Sequence, residues 1–345
     1  MLNDVKYNKL SNQDVGISIL RIILCFSVIQ VHFPVNNSTF VDKLIGLCGG
    51  LAVPCFMFIS FYLFEDDLFH LNISKIKNRI IRLYIPVVFW NSIFIIAKDA
   101  YSIFTTKQFD FKINQIIMSM LFSHVSGLDE PLWFLISQIF ILIILVILFL
   151  YMNNESSKIF ILILISLFTF YLEYSGLSYY LFGSAVWEVK FTLGRTIECM
   201  PYAASGILFS YFHNNFKGKN KIYLLVILFS ITYITKKYIP YVEGFYYNGL
   251  YLLFAANFIC VAFIDFPIAL PREWHIMINY IGARTMGVYC SHILVGNLIN
   301  RLFGNQSFYG SPFLDSLIFI ACLIISILLY QLTKLKKWHW ISNVT

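Results

Sequence analysis

Val15-Gly16-Ile17-Ser18-Ile19-Leu20-Arg21-Ile22-Ile23-Leu24-Cys25-Phe26-Ser27-Val28-Ile29-Gln30-Val31-His32, continued by Phe33-Pro34-Val35, is apolar at most positions and long enough to cross a bilayer. It carries an arginine inside it and lacks a small-residue cleavage site, so it reads as a first membrane helix and not as a cleavable signal peptide. Nine further runs of similar character follow: 44–64, 80–97, 131–152, 158–175, 192–212, 221–239, 247–266, 276–298 and 313–333. A spanning helix needs roughly 17–25 mostly apolar residues. The expected fold class is therefore all-α, a polytopic membrane helix bundle of about ten transmembrane helices. A shorter run, 111–124, is flanked by polar residues and contains His124; it reads as interfacial or re-entrant.

Composition agrees. Of 345 residues, 59% are hydrophobic and only 12% are charged, where a soluble domain carries about 25% charged residues. So few charges cannot cover a water-facing surface of this size, which excludes disordered, coiled-coil and soluble nucleic-acid-binding classes. The polar stretches are short loops, so residues 1–345 are expected to form a single integral membrane domain. The seven cysteines (Cys25, Cys48, Cys55, Cys199, Cys260, Cys290 and Cys322) lie in or beside apolar runs and form no CxxC. They read as small core residues, not as a disulfide framework. No HExxH or other zinc spacing occurs, so no metal is expected.

Topology follows from the basic residues. With ten spans and the N-terminus inside, the cytoplasmic segments hold Lys6, Lys9, Lys75, Lys77, Arg79, Arg82, Lys158, Lys217, Lys219, Lys221, Arg272, Lys334, Lys336 and Lys337. The outer segments hold Lys43, Lys98, Lys107, Lys112, Lys190, Arg195, Lys236, Lys237 and Arg301, while Arg21 and Arg284 are intramembrane. The excess of basic residues inside predicts both termini in the cytoplasm. Counting 111–124 as a span would put the basic loops near 217–221 and 334–337 outside. The net charge of +7 thus speaks first about orientation, not about an anionic partner.

Ionisable side chains at bilayer depth cost about 2.5–3.5 kcal/mol on insertion scales, and where they persist they face cavities or partners. Arg21 and His32 are eleven residues apart, about three helical turns, so both leave the helix on one face, separated by roughly 16 Å along its axis. Taken singly, Arg21 would snorkel to the headgroups and His32 would sit at the interface; sharing a face, they point to a common cavity. Arg79 and Arg82 stand at i, i+3 where the third run begins, a position the positive-inside rule alone would fill. The ninth run contains Arg284, Tyr289 and His292; as one helix it would place Arg284 and His292 on a shared face. Two histidines and two arginines within the membrane exceed what packing needs.

Five segments occur in an order that resembles a known family. They are the arginine–ten residues–histidine pattern at Arg21 and His32, then Val53-Pro54-Cys55-Phe56-Met57-Phe58-Ile59-Ser60-Phe61-Tyr62-Leu63-Phe64, then Arg79-Ile80-Ile81-Arg82-Leu83-Tyr84-Ile85-Pro86, then Leu132-Trp133-Phe134-Leu135, and last Ile281 to His292. Each is weak alone. Together they resemble the acyltransferase-3 family of integral membrane acyl-CoA-dependent acyltransferases, whose members include bacterial enzymes that O-acetylate surface glycans. The resemblance runs from about residue 14 to 333. The chain departs from the family pattern at Ser18, where an acid often stands, the nearest here being Asp14. It also has Phe61 for a glycine, Pro131 for a histidine and Thr285 for a serine.

The resemblance implies transfer of an acyl group, acetyl by default, from cytosolic acyl-CoA (acetyl-CoA) to a hydroxyl of a cell-envelope glycan or lipid-linked saccharide, in the cytoplasmic (inner) membrane. The donor is a substrate, and no permanently bound cofactor is implied. His32 is the family's favoured catalytic residue, with Arg21 beneath it; imidazole can act as a base or carry the acyl group. CoA phosphates need cations, and Arg79, Arg82 and Lys77 are placed for them. Trp133, Arg284, Tyr289 and His292 are candidates for binding the acceptor. Membrane lipids are expected partners and nucleic acid is not. The same buried charges would also suit a transporter or flippase for a lipid-linked anionic substrate, or a structural subunit of a glycan-assembly complex.

Overall fold

The computed structural model describes residues 14–33, 40–107, 113–123, 132–175, 188–239, 249–266, 268–303 and 312–332. Of the residues singled out above, Lys6, Lys9, Lys112, His124, Pro131, Lys334, Lys336 and Lys337 lie outside them, as do the side chains of Lys43, Cys48 and Lys190. Among the described residues the regular structure is entirely helical: α1 (Val15–His32), α2 (Phe40–Tyr62), α3 (Glu65–Phe69), α4 (Ile73–Thr106), α5 (Ile113–Phe122), α6 (Trp133–Leu150), α7 (Glu155–Tyr174), α8 (Glu188–Phe212), α9 (Lys219–Tyr238), α10 (Leu250–Phe263), α11 (Arg272–Gly282), α12 (Thr285–Phe303) and α13 (Pro312–Leu332). Helices are the natural solution for such a chain, because in hydrocarbon every backbone N–H and C=O must find its partner within the protein. Five are long and apolar enough to cross a membrane: Val15–His32, Ile73–Thr106, Trp133–Leu150, Glu155–Leu172 and Phe313–Leu332. Gly49–Tyr62 and Leu250–Phe263 are shorter apolar helical segments.

The predicted runs each fall on helix, with two differences of consequence. The run 80–97 is the middle of α4, a helix of 34 residues that extends roughly 51 Å. That exceeds the roughly 30 Å of hydrocarbon that a spanning helix must cross. The run 276–298 is not one helix. It breaks at Ala283–Arg284 between α11 and α12. At the break Gly282 lies so close to Ser18 of α1 that a Cβ there would collide with it. The break overturns the expectation that Arg284 and His292 share a helical face.

The bundle is organised around α1, which packs against α2, α10, α11, α12 and α13. Its start is fixed by Asp14. One carboxylate oxygen accepts from Gly16 N at 2.8 Å and Ile17 N at 3.3 Å, capping the helix. The other accepts from Asp265 N at 2.8 Å, tying the first turn to the end of α10. The α2 helix lies between α1, α8 and α10. Gly206 makes the α2–α8 approach possible, since a Cβ there would strike the carbonyl oxygen of Phe58. Gly206→Val is expected to cost about 1–3 kcal/mol by overpacking. A melting temperature in detergent equal to the parent's would show that the two backbones can part freely.

Candidate active site

A cavity of about 600 Å³ opens between α1, α2, α4, α6, α11 and α12. Its outer rim is cationic. Lys75, Asn78, Arg79 and Arg82 of α4 line it at i, i+3, i+4 and i+7, one stripe of the helix. Lys77 falls off that stripe and is not among the lining residues, whereas Lys75 is. Lys75 is committed to Asp67, with Nζ donating to Oδ1 at 2.6 Å. Arg21 lines the cavity from α1. Among the described residues no carboxylate pairs with Arg21, Arg79 or Arg82.

Arg79 is held rather than free to swing. Its Nη2 donates to Ser60 O at 2.8 Å and to Ser60 Oγ at 2.5 Å. Ser60 Oγ in turn donates to Gln138 Oε1 at 2.7 Å, and the guanidinium lies over the Phe64 ring, 4.4 Å from its centroid. This relay joins α4, α2 and α6. Neither Ser60 nor Gln138 was among the expected site residues. A lone amide in the most apolar run of the chain was the available signal for Gln138.

The inner end is aromatic. Phe56, Phe134 and Tyr289 line it, with ring centroids 5.4–6.2 Å apart. Beyond Tyr289 comes His292, ring centroids 5.8 Å apart, and beyond His292 comes His32, at 5.1 Å. His292 is fully buried. Its Nδ1 donates to the Tyr289 carbonyl at 2.6 Å. In the neutral ring Nε2 is then the acceptor, and that atom has no hydrogen-bond partner among the described residues. His32 is exposed at the far end of α1 and does not line the cavity. Both it and Arg21 leave α1 toward α12, the side on which Cys25 Sγ donates to Thr285 O at 3.3 Å. The order through the bundle is thus guanidiniums, aromatic rings, His292, His32.

The other expected residues separate from this line. The Arg284 guanidinium lies over Tyr330 at 3.5 Å and Tyr280 at 4.8 Å, outside the cavity lining. Trp133 meets Phe134 edge to face at 6.3 Å and carries the Arg195 guanidinium 5.8 Å from its ring. Arg195, near the start of the run 192–212, is buried on α8, with Nη1 donating to Glu198 Oε2 at 2.6 Å. At the rim end of the bundle, His213 Nε2 meets Asp265 Oδ2 at 2.6 Å with Tyr62 Oη 3.4 Å from Nδ1. Nearby, Ser210 Oγ donates to Glu65 at 3.3 Å, and burial raises that carboxyl above its ordinary range.

A family model described as an acyltransferase domain, acyltransferase-3, matches residues 14–331. The chain belongs to the acyltransferase-3 family. No curated protein and no solved structure gives a significant match. The acyltransferase-3 match spans nearly every helix, and with the apolar helices it makes the protein an integral membrane acyltransferase. In this acyltransferase-3 protein the arrangement is a cluster of guanidiniums, three packed aromatic rings and an imidazole pair.

Proposed function

We propose that the protein transfers an acyl group, acetyl by default, from cytosolic acyl-CoA to a hydroxyl of a cell-envelope glycan or lipid-linked saccharide. In this reading about ten helices cross the cytoplasmic membrane with both termini inside, and the cavity rim faces the cytosol. The observation that carries it is the placement of Arg21, Arg79 and Arg82 around one cavity with no carboxylate paired to them among the described residues. Such a set suits a polyanion entering from water. Arg82, exposed at the rim, and Arg79 take the phosphates, and Arg21 meets the pantetheine arm.

The arm then directs the thioester toward Tyr289, His292 and His32. The acceptor hydroxyl oxygen attacks the thioester carbonyl, an O–C bond forms and the C–S bond breaks. His32 takes the hydroxyl proton and returns it to the thiolate, so the products are the ester and free CoA. If His32 instead carries the acyl group, the same atoms balance over two steps. The buried His292 lies against His32 and orients it.

Purified protein given labelled acetyl-CoA and a cell-envelope glycan fraction is expected to release CoA and label the glycan. Intact thioester alongside lipid movement would mean transport instead. Arg82→Ala, which removes one charge-assisted contact of about 1.5–3 kcal/mol, is expected to raise KM for the donor by about 10–100-fold. The KM for the acceptor should not move, and an unchanged donor KM would remove Arg82 from phosphate binding.

A further inference from the structure

We propose that Phe56, Phe134 and Tyr289 form a gate across the inner end of the cavity and set the length of the acyl group that can be transferred. This rests on the acyl-CoA reading above and adds what selects the donor.

The three rings come from three helices, α2, α6 and α12, and each touches the other two. Phe56 and Tyr289 meet edge to face at 5.9 Å, Phe134 and Tyr289 are tilted at 5.4 Å, and Phe56 and Phe134 at 6.2 Å. Aromatic rings in van der Waals contact have centroids about 4.5–7 Å apart, so no open passage remains among them. Phe134 and Tyr289 are 3% and 5% exposed, although all three residues line the cavity. The cavity therefore ends on this triad. Directly behind it is the fully buried His292 ring, and behind that His32.

A donor held by its phosphates at the rim brings its acyl end to these rings. A methyl group can enter by small ring rotations, whereas a longer chain needs lateral room that the packed bundle does not have. Tyr289 is suited to hinge the gate. Its backbone carbonyl is pinned by His292 Nδ1 at 2.6 Å, so its ring can turn while the imidazole keeps its place.

Full-length protein in lipid nanodiscs, with acetyl-, butyryl- and hexanoyl-CoA as donors, tests this by CoA release and product mass. The parent protein is expected to show kcat/KM at least tenfold higher for acetyl-CoA than for hexanoyl-CoA. Phe134→Ala is expected to raise the hexanoyl-to-acetyl ratio at least tenfold, with inhibition by free CoA unchanged because the guanidinium mouth is intact. Phe56→Leu, which keeps most of the apolar volume, is expected to shift the ratio in the same direction and serves if Phe134→Ala does not fold. Equal use of hexanoyl- and acetyl-CoA by the parent, or an unchanged ratio in the folded variants, overturns the gate and leaves the acyltransferase reading standing. A parent protein that cleaves none of the three thioesters overturns the acyl-CoA reading and the gate with it.

Discussion

His32→Ala protein is expected to fold, to bind donor and to make product at least about 100-fold more slowly than the parent, since a positioned general base contributes about 10²–10⁴ in rate. The structure separates the chemical loss from a folding loss. His32 is exposed at the end of α1, so truncating it opens no void in the core. The neighbouring core residues Ile29 and Val28, which hold that end of the helix, are untouched. The donor site is remote: Arg21 stands roughly 16 Å back along the same helix, and Arg79 and Arg82 are on α4. The KM for acyl-CoA should accordingly stay within a few-fold while kcat collapses, the signature of an interaction made in the transition state. The comparison is steady-state CoA release with and without acceptor, beside a melting curve. Undiminished acetylation by the variant would take His32 out of the mechanism.

The second large effect concerns stability. Glu198→Ala removes the carboxylate facing the Arg195 guanidinium, both side chains being nearly inaccessible at 3% and 10%. Breaking a buried ion pair from one side costs about 3–5 kcal/mol, because the remaining charge is left in low dielectric. The damage should reach Trp133 and Phe191, whose rings the guanidinium covers at 5.8 and 5.0 Å. Replacing both partners by apolar residues of similar volume, Arg195→Met with Glu198→Leu, should recover most of the loss. Thermal unfolding of the two variants in the same detergent decides the matter. A single variant that melts with the parent would mean that the pair is well hydrated.

The Arg195–Glu198 pair shows where a linear reading stops. A positive and a negative residue at i, i+3 inside an apolar run were visible in the sequence. Spacing alone, however, does not say what encloses the pair, and only the packing of α8 against α2, α6 and α7 does so. Arg284 is a second case. Continuous hydropathy suggested one helix, but the close approach of Gly282 to Ser18 and the turn at Ala283–Arg284 divide it and send the guanidinium between Tyr280 and Tyr330.

Composition, apolar run length and the 3.6-residue period suffice for the helical class, the membrane habit, the shared face of Arg21 and His32 and the family motifs, because each is a property of a single segment. The cavity, the Arg79–Ser60–Gln138 relay, the aromatic triad and the His32–His292 contact exist only where separate helices meet. A membrane helix is apolar on most of its surface, so hydropathy does not say which face will find which neighbour. Close approaches at small residues such as Gly206 and Gly282, together with a few interhelical hydrogen bonds, settle that choice.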